Sequence, residues 1–358
     1  MGDRAVALTD DTRQGSRNAV LSGDARRRLT AATFRPVWIA LAVVAVVHVL
    51  GVRVPRTIQY AVLLSTVLVL GLPHGALDHL TLPRARGRPV TLRGVAGFSV
   101  AYLAVAGVYG LAWLLAPTAS FVGFVLLTWF HWGQGDRAHL AVIADASHLE
   151  DPLTNRLTLL VRGGLPMVVP LLGFPGAYES VATTVVALFD PAGSAAWLAP
   201  VFEPTTRLAV GLGFGSVTLV TLALGYHVAD DRRGWRVDAI ETALLWTFFL
   251  TVPPILAIGI YFVVWHSLRH LARLVAIDDG ATTAIDRGET GRLLRRVGRD
   301  AFPMTAGALV LFGVIAVAVP NEPGSLASLG GVYLVVLAVL TLPHAGVVTT
   351  LDRIQGVR

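Results

Sequence analysis

Apolar stretches about as long as a bilayer-crossing helix recur along most of this 358-residue chain. A helix needs roughly 20 apolar residues to cross the hydrocarbon core of a membrane. Runs near that length occur at 36–52, 58–80, 95–116, 119–141, 157–174, 207–227, 302–320 and 326–349. Only 15% of the residues are charged and 54% are hydrophobic, whereas about 25% of the residues in soluble domains are charged. The core of a soluble domain could not enclose so many apolar side chains. The pattern predicts an all-α, polytopic transmembrane helical bundle in a lipid bilayer.

The apolar stretch 239–275 is too long for one straight span, and Pro253 and Pro254 interrupt it. Because proline removes a backbone donor and breaks or kinks a helix, the stretch is either one kinked helix or a hairpin of two shorter helices. Arginine clusters flank it on both sides, and both clusters favour the cytoplasm. An even number of passes is therefore required, which favours the hairpin. The predicted topology has about ten spans (eight to ten) in the cell membrane, with both termini cytoplasmic.

No linker in the sequence is long enough to separate two folded domains. Residues 1–30 are polar and contain arginines, which predicts a disordered cytoplasmic N-terminal tail. The first apolar run begins near Phe34, lacks the small-residue cleavage site of a signal peptide and is predicted to be a retained helix. Residues 31–358 are predicted to form a single integral-membrane catalytic domain. Within it, the amphipathic segment 175–206 is predicted to contain a helix on the outer surface, and 276–300 is predicted to be a long loop.

Composition excludes several classes of site. The sequence has no cysteine, so disulfides, iron–sulfur clusters and thiolate metal sites are impossible, and any metal must be held by His, Asp or Glu. The net charge of +6 does not indicate a nucleic-acid partner, because the arginines lie mostly in short clusters between apolar runs, where membrane topology accounts for them. No nucleophile elbow, phosphate loop or dinucleotide fingerprint occurs in a fitting context.

Histidines are the ionisable residues that the predicted topology brings together. An ionisable side chain inside a membrane span is costly and indicates function by default. Six of the ten histidines lie on helices that run inward, five of them toward the cytoplasmic end, so that their side chains can converge: His74, His131, His227, His266, His270 and His344.

His266 and His270 are spaced i, i+4, which places two imidazoles on one face of a helix about one turn apart. This is the usual way in which a helix offers two ligands to one metal. The alternative is a helix end at the membrane interface, where His and Arg meet lipid headgroups.

His74 and Asp78 have the same spacing, in a segment that Pro73 loosens. The Asp78 carboxylate could accept the spare ring N–H of His74 and fix its tautomer. The alternative is that Asp78 and His79 form a solvated helix end.

His131 lies near mid-membrane between Phe130 and Trp132. A polar group at that depth must have a partner, either a metal or a polar neighbour; a packing histidine bonded to Asp136 or to a backbone carbonyl is the alternative. The aromatic neighbours, including Trp132, suit a long conjugated ligand but are also ordinary core residues. His227 and His344 are reserve candidates for ligands, and a supporting position beside the site or a position at the membrane interface is favoured for both.

Four of these motifs together resemble the Brp/Blh family, the bacteriorhodopsin-related integral-membrane β-carotene 15,15′-dioxygenases of archaea and bacteria. The resemblance covers roughly residues 36–350, with the motifs in the same order. It rests on Pro73-His74-Gly75-Ala76-Leu77-Asp78-His79, Phe130-His131-Trp132-Gly133, Trp265-His266-Ser267-Leu268-Arg269-His270 and Pro343-His344.

The resemblance implies oxidative cleavage of β-carotene by O₂ at the central 15,15′ double bond, giving two molecules of retinal. It implies a non-haem Fe(II) held by His74, His131, His266 and His270, with no catalytic residue beyond the metal. Supporting or lining roles then fall to Asp78, His79, Trp132, His227 and His344. It also suggests a functional link to a retinal-binding rhodopsin.

Two other functions remain open from the residues alone. A histidine-box di-iron hydroxylase or desaturase could use His266 and His270, but such enzymes need about eight histidines and an adjacent His-His pair, which this sequence lacks. A proton-coupled membrane carrier could use His and Asp as a relay, although no inverted repeat with paired broken helices is evident.

Overall fold

The computed structural model describes residues 28, 31, 34–66, 69, 71–190 and 194–357. All regular elements among these residues are helical and none is a strand, so the predicted all-α class is confirmed. The predicted tail, 1–30, lies outside the described residues except for Arg28.

The described part of the chain contains fifteen α-helices. In chain order these are α1 (Arg35–Val49), α2 (Arg56–Thr66), α3 (Asp78–Ala85), α4 (Leu92–Leu115), α5 (Pro117–Val142), α6 (Pro152–Gly173), α7 (Pro175–Ala187), α8 (Ala199–Phe202), α9 (Pro204–Val228), α10 (Arg232–Thr251), α11 (Pro254–Ile260), α12 (Leu268–Val275), α13 (Asp279–Asp286), α14 (Thr290–Ala318) and α15 (Leu326–Gln355). A π-helical segment, Tyr261–Ser267, joins α11 to α12, and short 3₁₀ turns lie at Gly75–Leu77, Ser147–Glu150 and Ser194–Leu198.

Local sequence sets several helix boundaries. Proline lies in the first turn of α5, α6, α7, α9 and α11, where its missing N–H costs nothing. Asp151 caps α6 by accepting the N–H of Thr154 at 2.7 Å, and Ser325 forms a capping box with Ser328 at the start of α15. Gly356, at a φ of +67°, ends α15 in the left-handed conformation.

Six helices in the described part of the chain are long and apolar enough to cross a membrane, so the expected count of about ten spans is wrong. The six are α4, α6, α9, the continuous Pro254–Val275, α14 and α15. The other expected spans fail for physical reasons. α1 has 15 residues and reaches only about 22 Å, against a hydrocarbon core of about 30 Å. Non-α structure separates α2 from α3, and polar side chains lower the hydropathy of α5 and α10.

The stretch 239–275 consists of two helices that fold back on each other. α10 ends at Thr251, and α11 begins at Pro254. Glu241 on α10 pairs with Arg269 on α12, and the rings of Phe249 and Tyr261 lie 5.3 Å apart. These contacts match the predicted hairpin and not the kinked single helix, although only the second arm is apolar enough to span.

Two segments differ from their predictions in detail. In 175–206, α7 packs Ala182, Val185 and Val186 into a core cluster with α15 and α5, so one face of this helix is buried against the bundle. The predicted loop 276–300 is wrong, because it contains α13 and the first turns of α14. Asp278 caps α13 by accepting the N–H groups of Gly280 and Ala281.

Burial separates inner from outer helices. The most apolar windows of α4 and α14 are only 11% and 6% buried, whereas those of Pro254–Val275 and α6 are 67% and 61% buried. Apolar side chains exposed on α4 and α14 suit contact with lipid. The helix that carries His266 and His270 therefore lies at the centre of the bundle, where its polar groups must find partners within the protein.

Candidate metal centre

His74 lies in the turn between α2 and α3, directly before the 3₁₀ turn Gly75–Leu77. Its Nδ1 donates a hydrogen bond to the carbonyl oxygen of Gly71 at 2.5 Å. Because a carbonyl can only accept, this bond puts the proton of the neutral ring on Nδ1 and leaves the lone pair on Nε2. The side chain is buried, and a backbone carbonyl orients it. The sequence had predicted that the Asp78 carboxylate would do so, and that prediction is wrong.

His131 lies on α5 at a close crossing with α6. A Cβ at Gly133 would lie 2.1 Å from the carbonyl oxygen of Leu159, and one at Gly163 would lie 1.9 Å from that of Trp129. Only glycine allows this approach. The crossing fixes the part of α5 that turns His131 toward the centre of the bundle, where its side chain is 2% exposed.

His266 lies within the π-helical segment and His270 follows on α12. The ring centroid of His74 is 5.6 Å from that of His266 and 5.9 Å from that of His270. Nε2 of His266 lies 3.2 Å from Nε2 of His131. The structure therefore brings together the four predicted ligands, on a widened helical turn of a kind that often marks functional sites.

His344, on α15, lies among these four residues. Its ring centroid is 4.7 Å from that of His131, 5.0 Å from that of His270 and 5.1 Å from that of His74. Asp78 contacts it, because Nδ1 of His344 donates to Oδ2 of Asp78 at 2.7 Å. We call the five residues the histidine cluster: His74, His131, His266, His270 and His344.

The histidine cluster fits a metal ion. One ligand atom from each of His74, His131 and His344 lies within 4.8 Å of the others, and the same holds for Asp78, His270 and His344. Nε2 of His270 and Nε2 of His344 are buried with no hydrogen-bond partner among the described residues. Two nitrogens that bind one ion at about 2.0–2.1 Å lie roughly 2.9–3.4 Å apart, depending on the coordination geometry. The His131–His266 distance falls in that range.

A buried network of charges supports the helix that carries His266 and His270. Arg269 and Arg162 both pair with Glu241, and Asp136 accepts the indole N–H of Trp265 at 2.9 Å. All five side chains are at most 2% exposed. Since Trp265 and Arg269 flank His266 and precede His270, their bonds to α5 and α10 restrict how the segment can rotate.

An apolar cavity adjoins the histidine cluster. The cavity is partly open, and the space within it and its mouth together amounts to about 980 Å³. Trp132 and Phe262 line it and stack on each other with centroids 6.0 Å apart. Phe262 also stacks on His266, with an interplanar angle of 14°. The two aromatic rings thus separate the cavity from the histidines and contact both.

A family model described as beta-carotene 15,15'-dioxygenase matches residues 65–352, a range that contains the whole histidine cluster. The chain belongs to the beta-carotene 15,15'-dioxygenase family. The resemblance inferred from the four motifs is therefore confirmed.

Two relatives within this dioxygenase family come from Halobacterium salinarum. One, named probable beta-carotene 15,15'-dioxygenase Blh, is 45% identical over 357 residues and covers 100% of both chains. The other, named probable beta-carotene 15,15'-dioxygenase Brp, is 31% identical over 321 residues, which are 86% of this chain and 87% of the relative. No solved structure matches the chain.

The remaining sequence-predicted residues of this dioxygenase-family chain have different positions. Trp132 lines the cavity, as expected of a substrate-contacting residue. His79 is buried and donates from Nδ1 to the carbonyl oxygen of Ala76 at 3.0 Å. The structure does not place His227 with the other histidines, because it lies exposed in the last turn of α9, with its ring against Tyr226.

Sequence reasoning missed the charge network and the central position of His344. Arg162 and Glu241 lie within the apolar stretches 157–174 and 239–275 of the sequence, and charges in such stretches are a signal that the sequence offers. Pro343-His344 repeats the Pro73-His74 pattern, but such a short match does not indicate that His344 lies among the other histidines as His74 does.

Proposed function

We propose that this protein cleaves β-carotene at its central 15,15′ double bond with O₂, releasing two molecules of retinal, and that it uses a histidine-bound Fe(II). The observation that carries the proposal is a buried histidine cluster that only the rings of Trp132 and Phe262 separate from an apolar cavity, in a bundle of helices long and apolar enough to span a membrane. The names of the two relatives support the substrate and the bond that is cut.

The metal is proposed to be held by His74, His131, His266 and His270. Neutral imidazoles suit Fe(II), and these four side chains would hold the ion while leaving it accessible to dioxygen. When bound, the iron supplies the activation of dioxygen. We propose no general acid or base from the protein, because insertion of dioxygen into an alkene requires none.

The apolar cavity is proposed to hold the polyene. β-Carotene is a hydrocarbon, and the lining is almost entirely apolar, with only a few hydroxyl-bearing side chains such as Thr128 and Tyr178. The stacked rings of Trp132 and Phe262 provide a flat surface along which a conjugated chain can lie. Catalysis then depends on holding one C=C bond in register with the cluster and on keeping water out of the cavity.

We propose that the protein lies in the cell membrane with both termini cytoplasmic. β-Carotene dissolves in the bilayer core, so it can enter the bundle sideways without passing through water. Retinal released into the same bilayer would be available to a retinal-binding rhodopsin. The arginine clusters that flank the apolar stretches support the orientation.

Expression in bacteria that accumulate β-carotene tests the proposed function. We expect the cells to lose colour and to accumulate retinal, measured by chromatography of extracted pigments. His266→Ala should abolish bleaching, because it removes a metal ligand, while the protein still inserts into the membrane. His227→Ala, the same change at an exposed histidine, should bleach like the wild type. Apocarotenals of unequal length, or unchanged colour with wild-type protein in the membrane, would contradict central cleavage.

A further inference from the structure

His344 has one ring nitrogen committed to Asp78 and the other directed to no hydrogen-bonding group. Asp78 can only accept when ionised, so the Nδ1–H of His344 is the donor in their 2.7 Å hydrogen bond. In the neutral ring the lone pair therefore lies on Nε2. This nitrogen is buried and has no hydrogen-bond partner in the part of the chain that the structure describes. An unpaired buried acceptor is costly, and a cation would relieve that cost.

The surroundings of His344 are those of a ligand and not of a packing residue. Its ring contacts those of His74, His131 and His270 at 4.7–5.1 Å. Both groups of residues whose ligand atoms lie within 4.8 Å of one another include His344. It also comes from α15, the last described helix, whereas the other members come from α5, the α2–α3 turn and the Pro254–Val275 helix.

We propose that His344 is a fifth ligand of the metal and that Asp78 is a positioning residue that acts through it. The inference rests on the metal site of the proposed function. A carboxylate that accepts the outer N–H of a metal-bound imidazole fixes its tautomer and raises its basicity. Asp78 also places a negative charge beside a group of otherwise neutral imidazoles. Five imidazoles would leave less of the metal open to other ligands than four would.

Competition for Fe(II) under anaerobic conditions tests this assignment. The full-length protein is purified in detergent without metal and titrated with Fe(II) against a chelator of known affinity. We expect His344→Ala and His344→Gln to bind Fe(II) about 100-fold more weakly or worse, and Asp78→Asn about 10–100-fold more weakly. His227→Ala is the matched control and should bind like the wild type.

The double variant Asp78→Asn with His344→Ala distinguishes a positioning role for Asp78 from direct ligation. If Asp78 acts through His344, the double variant should bind Fe(II) no more weakly than His344→Ala alone, because the effects of coupled residues do not add. Additive losses would overturn the assignment of Asp78, since its carboxylate would then have its own bond to the metal.

The His344→Gln variant and rescue by imidazole show whether weak Fe(II) binding comes from the lost ligand or from a misfolded protein. His344→Gln keeps much of the side-chain volume and can donate to Asp78, so weak Fe(II) binding by a variant that is monodisperse by gel filtration supports the proposal. Added imidazole should restore Fe(II) binding to His344→Ala by occupying the space that the ring leaves. Wild-type affinity in both His344 variants would overturn the proposal.

The outcomes also separate this inference from the proposed function. A wild-type protein that binds no Fe(II) or makes no retinal would contradict the proposed function itself. A wild-type protein that binds Fe(II) and makes retinal, with His344 variants of unchanged affinity, would contradict only the fifth ligand.

Discussion

Imidazole rings buried in an apolar interior need partners for both nitrogens, and the histidine cluster supplies only part of them. His74 and His344 each donate from Nδ1 to an oxygen, of Gly71 and Asp78 respectively. Nε2 of His270 and Nε2 of His344 are buried and lack hydrogen-bond partners among the described residues. A bound cation would satisfy both at once, so stability and metal binding should be linked.

Metal removal should therefore lower the stability of the protein. A ligand that binds only the folded state adds about 2.7 kcal/mol at a free concentration of 100 times its Kd. We expect the melting temperature of the purified protein in detergent to fall after chelation and to return when Fe(II) is added. His266→Ala should show little response to Fe(II), and an equal rise in that variant would contradict binding at the cluster.

Trp132 should affect the substrate more than the metal. It lines the cavity and its ring lies 5.5 Å from that of His266 without offering a ligand. Trp132→Ala should slow retinal formation by about 10–100-fold, because loss of the ring lets the polyene shift relative to the cluster. Iron content should remain at that of the wild type. Trp197→Ala is the control, since Trp197 is 82% exposed; loss of iron in Trp132→Ala would contradict this division of roles.

At the scale of helices, spacing predicted which residues share a face but not what holds the face in place. The i, i+4 pair His266 and His270 was evident from the sequence, and the structure brings both to His74. The i, i+4 spacing does not predict the π-helical form of the first half of that motif, nor the contacts that the motif makes with α5 and α10. Those contacts come from Asp136 and Glu241, which lie 129 and 28 residues away from their partners in sequence.

Substitution of Glu241 in this network should strongly destabilise the protein. It is 0% exposed and pairs with both Arg162 and Arg269. Glu241→Gln would leave two buried guanidinium groups short of a counter-charge, which typically costs about 3–5 kcal/mol. We expect a large drop in melting temperature in detergent, together with weaker iron retention. Glu179→Gln, at an exposed position on α7, should leave both unchanged; a stable Glu241→Gln protein would show that the network contributes little.

At the scale of the whole molecule, hydropathy predicted the class correctly and the span count incorrectly. Long apolar helices such as α4 and α14 face outward and are recognisable from any window of sequence. α5 and α10 are different, because their acidic side chains pair with arginines of other helices inside the bundle. Asp136 on α5 and Glu241 on α10 each contact Arg162 and Arg269. A short segment of sequence does not show that pairing, because the partners lie far apart along the chain. The same is true of the cavity, whose lining comes from several separate helices.

The orientation of the whole molecule can be tested with reporter fusions. If both termini are cytoplasmic, green fluorescent protein fused to either end should fluoresce, and alkaline phosphatase, which needs the periplasm, should be inactive at the same positions. The expectation follows from the arginine-rich segments beside the spans. Phosphatase activity at one end only would require an odd number of crossings.

The π-helical segment also sets the angle, around the helix axis, between the side chains that line the cavity and the histidines of the cluster. Ile255 and Ile258 on α11 line the cavity, whereas His266 and His270 face the cluster. Each residue of an α-helix advances the chain by about 100° around the axis, so removing a single residue from Tyr261–Ser267 would swing one set of side chains by about that angle relative to the other. In a chain shortened in this way the histidines could still lie together, but a hydrocarbon bound in the cavity would be misaligned with them.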